Sequence, residues 1–205
     1  MVRQILFVPD SELIVPGRSG ARAALSELED ECARQLCEAL TETGTERVRV
    51  FASVTSQFNR PLPGFWVAER LLESAGYSGK IRNTAPTDDV GTHDGSHEEL
   101  WMILGTGAAS HGDEAPLIAN ANASNAEIDA QLEQALANPT APGFEKIGPE
   151  AARAVGATLV EPAATAVRAL TKAGATGWMP GPVFRQREFG VTYFAARWCA
   201  RGERP

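Results

Sequence analysis

The side chains whose chemistry is easiest to state stand next to small residues. His111 lies in Leu104-Gly105-Thr106-Gly107-Ala108-Ala109-Ser110-His111-Gly112-Asp113-Glu114, where an apolar run ends in glycines. An imidazole there is suited to general-base work near neutral pH, with Asp113 or Glu114 to orient it. The competing account is a surface-loop histidine without a task. Gly105 and Gly107 suit a place where backbone approaches a ligand or turns sharply. Asp10 directly follows the apolar run Ile5-Leu6-Phe7-Val8, with Ser11 and Glu12 beside it. It reads as a base or ligand, or as a turn-forming Asp that caps a local amide. Ser53, Thr55, Ser56 and Gln57 hold a comparable place after a second apolar run and are able to orient a polar substrate. Glu188 adds a carboxylate close to the last apolar run, and Trp178 stands in a Gly/Pro loop as a pocket mouth.

His93 and His97 lie in Thr92-His93-Asp94-Gly95-Ser96-His97-Glu98-Glu99. Histidine with carboxylate binds Zn or Fe, and a four-residue spacing puts both imidazoles on one helix face. The alternative is a helix start, with Ser96 as cap and Glu99 as its reciprocal partner.

Several chemistries are excluded. Gly105-x-Gly107 lacks the third glycine of a dinucleotide fingerprint, and there is no phosphate-loop sequence or Gly-x-Ser-x-Gly elbow. Cys32, Cys37 and Cys199 have no disulfide or zinc spacing, and Cys32 falls on an apolar helical stripe. The 19 basic and 26 acidic side chains leave a formal charge of −7, with no basic cluster to attract a phosphate backbone. No stretch is long enough for a membrane span, and the first apolar run is too short for a signal peptide. A cytoplasmic protein with a small-molecule partner is expected, without nucleic acid or membrane.

These residues need elements to position them. Residues 4–8, 48–51 and 100–104 read as buried strands, apolar on both sides as in parallel sheets. Ala21, Leu25, Leu28, Cys32, Leu36 and Leu40 recur at helical spacing, with Gly44 as the stop. Further helices are predicted over 65–75, 125–137, 149–155 and 161–173, a short strand over 80–83, and a last strand from Phe189 to Trp198. Strands alternating with helices predict one α/β domain over 1–205, with a mostly parallel central sheet covered by helices on both faces. In such sheets ligands sit outside the carboxyl ends of the strands, which singles out the loops starting at Pro9, Ser53 and Gly105.

Three segments resemble the class III extradiol ring-cleavage dioxygenases of the LigB-like type, in a small actinobacterial form. Phe7-Val8-Pro9-Asp10-Ser11-Glu12-Leu13-Ile14-Val15-Pro16 is similar to a strand followed by Pro-His-Pro-Pro, an apolar pair and Pro. Ile103-Leu104-Gly105-Thr106-Gly107-Ala108, with Glu114-Ala115-Pro116 behind it, resembles a Gly-Asp-Gly-Ser run and a Lys-Ala-Pro. Phe189-Gly190-Val191-Thr192-Tyr193-Phe194-Ala195-Ala196-Arg197-Trp198 resembles a Tyr-Gly-Val-Gly-Tyr-Phe-Val-Ala-x-Trp ending.

The resemblance implies a non-haem Fe(II) centre of two histidines and one carboxylate that opens a catechol-like ring with dioxygen, and a further histidine as acid or base. Asp10 falls where the first metal histidine would stand. The loop holding Gln57 has no histidine. The Gly-x-x-Ser-His pattern falls on Ala109 when the glycines are matched, and on His111 when Ser110-His111 is matched. Two expectations follow. One is a divergent oxidoreductase with Asp10 and His111 as acid–base groups or ligands to Fe(II) or another divalent metal, supported by Gln57 and Glu188. The other is a metal-free relative that binds a small molecule or serves as an accessory subunit. The sequence leaves the oligomeric state open; in a homo-oligomer a second copy could cover the Pro-rich loops or supply missing site residues.

Overall fold

Apolar residues on both sides of a strand require a cover on both faces, and the chain supplies it. The computed structural model describes residues 2–15, 25–53, 63–86, 99–109, 124–139, 143–175 and 177–201. β1 (Val2–Val8), β2 (Arg47–Ala52), β3 (Lys80–Thr84) and β4 (Glu99–Leu104) run parallel to one another. Leu6, Val8, Val50, Ala52, Met102 and Leu104 face α1 (Ser26–Thr43) and α2 (Pro63–Ser74). The alternate side chains Ile5, Phe7, Phe51, Trp101 and Ile103 face the opposite layer, which holds α3 (Ser124–Ala137), α4 (Gly143–Lys146), α5 (Pro149–Ala154) and α6 (Val160–Lys172). The described residues therefore build one α/β sandwich with a core on each side of the sheet.

The sheet is mixed, where the alternation of elements predicts a mostly parallel one. Its strand order is β3-β2-β4-β1-β7-β5, with β6 on β7. β7 (Val191–Ala200) runs antiparallel to β1, and β5 (Trp178–Pro180) and β6 (Phe184–Glu188) run antiparallel to β7. No helix intervenes between β5, β6 and β7, and a short connection between neighbouring strands makes them antiparallel. The predicted last strand is shifted: Phe189 and Gly190 form the turn before β7, both at positive φ. Residues 143–146, between two predicted helices, form a single helical turn. Glu99 is no helix cap. It opens β4 and meets the Arg49 Nε–H at 3.2 Å and the Trp101 Nε1–H at 2.8 Å. That buried ion pair lies within the layer containing α6.

The arrangement of β1 and β4 creates the place for a site. The connection from β1 leads to α1 on one face, and the connection from β4 leads to α3 on the other. Adjacent strands that part in this way open a crevice at their carboxyl ends. β1 lies between β4 and β7, and Phe7 pairs with Ala196, so Thr192 of β7 lies beyond the end of β1. The segment after β4 crosses over this end. The Gly105 N–H donates to Val8 O, Gly107 N–H to Thr192 O and Ala109 N–H to Val155 O; Thr192 N–H returns a bond to Ala108 O.

Such a crossing needs room. A Cβ on Gly105 would lie 2.3 Å from Leu159 Cα and 2.5 Å from Leu159 N, both backbone atoms unable to swing aside. Gly105→Ala is expected to destabilise the protein by about 3 kcal/mol in urea unfolding, as overpacking against a fixed neighbour does. Gly44→Ala, at φ 55 with open space around it, should cost only about 1 kcal/mol. Equal losses at the two positions would show that the crossing is not tight.

Candidate functional site

Asp10 stands one residue past the Pro9 that ends β1. Three strand ends and a helix start converge beside it. A Cβ placed on Gly64, in the first turn of α2, would lie 2.7 Å from Ala52 Cβ and 3.6 Å from both Asp10 Cβ and Leu104 Cβ. Gly64 thus lets the N-terminus of α2 rest on the carboxyl ends of β2, β4 and β1. From the opposite layer comes Thr158, two residues before α6. Its hydroxyl donates to Asp10 Oδ2 at 2.9 Å across 148 residues of sequence. Asp10 therefore lies beside the first turn of α2 and just ahead of α6, and helix starts favour negative charge.

Thr158 also fixes the crossing segment. Its oxygen accepts the Thr106 N–H at 2.8 Å and lies 3.2 Å from Thr106 Oγ1. The only proton of the Thr158 hydroxyl goes to Asp10, so Thr106 is the donor in the hydroxyl pair. Leu159 N–H returns a bond to Thr106 O at 3.1 Å.

The other end of the segment is held by Asp129 on the buried face of α3. Its Oδ1 accepts the Ala108 N–H at 2.8 Å and its Oδ2 accepts the Thr192 hydroxyl. Every N–H from Gly105 to Ala109 has a protein acceptor. Gly105 and Gly107, expected where backbone approaches a ligand or turns sharply, bring backbone close to Leu159 and Asp129. A Cβ on Gly107 would meet Asp129 Oδ1 at 2.6 Å and the Phe194 ring at 2.7 Å. Residues 105–109 have no free N–H to offer a phosphate.

Burial of the Asp10 carboxyl raises its pKa, against the Thr158 hydrogen bond and its own backbone N–H, which both lower it. Tyr193, on β7, is a further titratable group that feels the charge of Asp10. Burial raises it most, its hydrogen bond with Ser11 opposes this, and the charges of Asp10 and Glu188 add to the rise. Asp10, Ser11, Thr106, Thr158, Tyr193 and Glu188 thus share one neighbourhood. Ser53, half-buried after Ala52, lies at the same end of the sheet.

Trp178 does not join them. It pairs with Ala200 on β7, level with the start of β1, and is buried with its Nε1–H unpartnered. At about 3.3 Å per residue it stands roughly 20 Å along the strands from Asp10. His111, Gln57, His93 and His97 lie outside the described residues. An open groove of about 600 Å³ lies at the amino end of the sheet, between the ends of α1 and α2. Tyr77 in that groove is pushed up to about 12, chiefly by burial. None of the expected site residues lines it.

The iron centre implied by the resemblance needs donors of a particular kind. Among the described residues, no group of three or more His, Cys, Asp or Glu side chains is placed to hold a metal ion. The hydrogen-bonding side chains beside Asp10 are hydroxyls, so these residues do not fit a two-histidine, one-carboxylate centre. No protein-family model matches the sequence, and no curated protein matches it.

Sequence reasoning singles out Asp10 and Glu188 as candidates and does not single out Thr158, Tyr193 or Asp129, which the structure places around the same strand ends. Asp129 has a readable signal: with Asn125, Ile128, Leu132 and Leu136 it places a carboxylate on the apolar side of a helix. Thr158 has none.

The setting of Asp10 predicts a pH dependence. A carboxyl raised in the folded protein binds more protons there than in the unfolded chain. Its contribution to stability is complete below its ordinary value of 3.8 and is lost as pH rises through the folded pKa. Asp10→Asn, which keeps an acceptor for Thr158, should be more stable than the parent at neutral pH. The gap should shrink as pH falls toward about 4, read from urea midpoints across the range. A variant that is less stable at neutral pH would show that the two helix ends outweigh burial.

Proposed function

We propose that this chain binds a small polar molecule at the carboxyl ends of β1, β2 and β4. Asp10 is the group that meets the ligand, without a resident metal, as in an accessory or non-cleaving relative of the extradiol dioxygenases. The observation that carries the reading is the setting of Asp10. Asp10 is a half-buried residue whose one side-chain hydrogen bond among the described residues comes from Thr158, at the point where two adjacent parallel strands part. A ligand that donates a hydrogen bond to it would compensate the burial that disfavours its charge.

The surrounding groups suit binding better than bond cleavage. Ser11, Thr106, Thr158 and Tyr193 bring hydroxyls, which orient a polar molecule. Tyr193 is held protonated by burial and the neighbouring carboxylates, so it presents a neutral phenol. Asp10 supplies an acid–base group, but the described residues include no histidine to work beside it. His111 is the imidazole that the resemblance would bring to this place.

Binding of catechol and a panel of small polar metabolites, followed by calorimetry, tests the reading. A binder should be found whose affinity falls tenfold or more in Asp10→Ala, the order of a charge-assisted hydrogen bond. The purified protein should hold no stoichiometric iron or zinc, and should take up no oxygen with catechol. One equivalent of iron with oxygen uptake, both lost in Asp10→Ala or His111→Ala, would replace this reading by the ring-cleaving one.

A further inference from the structure

We propose that Arg187, steadied beside Arg185 by the buried Asp129, is the subsite for an anionic group, a carboxylate or phosphate, on the molecule that the crevice takes. The inference rests on the crevice reading above and names the class of its ligand.

β6 alternates strictly. Phe184 packs toward the α1 layer, whereas Arg185 reaches Glu133 of α3 at 2.8 Å, on the opposite side. Arg187, two residues on, shares the side of Arg185. Both guanidinium groups converge on one oxygen, Asp129 Oδ2, at 3.8 Å from Arg185 Nη2 and 3.7 Å from Arg187 Nη2. These separations give attraction without a hydrogen bond. Both oxygens of Asp129 already accept, from the Ala108 N–H and the Thr192 hydroxyl. The carboxylate is completely buried, so it anchors the charges from behind and leaves donors free in front.

The two arginines are not equivalent. Arg185 spends one end on Glu133 and lies 5.9 Å from the centre of the Phe194 ring, which holds it in place. Arg187 makes no hydrogen bond among the described residues, and its side chain is 47% exposed. A guanidinium with an open fork is matched in shape to a carboxylate or phosphate.

Its position links it to the crevice. Arg187 pairs in register with Thr192, whose backbone bonds Gly107 and Ala108 of the crossing segment. The register is locked by the two-residue turn Phe189–Gly190, with φ 53 and 70. Phenylalanine rarely adopts such a backbone, and this one is also 42% exposed. Strain of this kind is retained where a hairpin must end at one place. The N–H groups of the crossing segment are all taken, so on this rim the arginines supply the donors.

Titration with inorganic phosphate and with acetate, followed at the arginine Nε–H resonances, tests the subsite. Chloride at matched ionic strength is the reference. Saturable binding of phosphate or acetate is expected at Arg187, weakened about tenfold or more in Arg187→Gln. Arg70→Gln, an exposed arginine paired with Glu73 on α2, should leave it unchanged. The stronger of the two probes identifies the group. Equal binding in the parent and Arg187→Gln, or no response beyond that of chloride, would overturn the proposal. A crevice ligand lost in Asp10→Ala but indifferent to Arg187→Gln would sink the subsite alone. Anion binding at Arg187 with no ligand dependent on Asp10 would sink the crevice reading and leave the subsite.

Discussion

Backbone amides that cross the end of a strand must find acceptors, and the segment after β4 is built around that demand. Leaving one such N–H buried and unpaired costs about 1–3 kcal/mol. From Gly105 to Ala109 the acceptors come in turn from β1, the α5–α6 connection, β7, α3 and the end of α5. One short segment therefore ties the layer of α3, α5 and α6 to β1 and to the antiparallel half of the sheet. Gly105 and Gly107 follow from this constraint, because the crossing runs too close to Leu159 and Asp129 for a side chain. Two buried or half-buried carboxyl groups, Asp10 and Asp129, become the ends of the clamp.

The two carboxyl groups have unlike surroundings, and this sets what each can do. Asp129 is saturated by an amide and a hydroxyl and faces two guanidinium groups, so its charge is balanced within the protein. Asp10 has Thr158 and two helix starts, which is less than burial takes from it. An unbalanced carboxyl at a crevice invites a partner from solution, whereas a balanced one holds structure. Cys32 is the counter-case among buried ionisable groups. Its thiol is raised far above its ordinary value by burial and by nearby Glu31 and Glu29, and it packs in the α1 layer as an apolar group.

Much of the scaffold is legible in the sequence because it rests on periodicity. The runs at β1, β2 and β4 and the stripe Leu28, Cys32 and Leu36 declare their burial directly, and Gly44 ends its helix at positive φ as expected. β6 is not legible. Phe184-Arg185-Gln186-Arg187-Glu188 has no apolar alternation, since its charged side chains pair with α3 and solvent. Phe189 reads as the start of a strand, yet its backbone is a turn that only context selects. The site divides in the same way. Asp10 can be found because a carboxylate after a buried strand is a local pattern. Thr158 cannot, since its role arises from a contact 148 residues away.

The crossing segment also couples the two carboxyl groups. Thr106 is tied to the Asp10 side through Thr158, and Ala108 to Asp129. Residues two apart in one short stretch thus carry both contacts, so a displacement of the segment at one end strains the hydrogen bonds at the other. The amides between them are already bonded, so recognition at this end of the sheet falls to side chains. The fold also buries Asp129 behind Arg185 and Arg187, which is how a chain with a formal charge of −7 brings two guanidinium groups together at one oxygen.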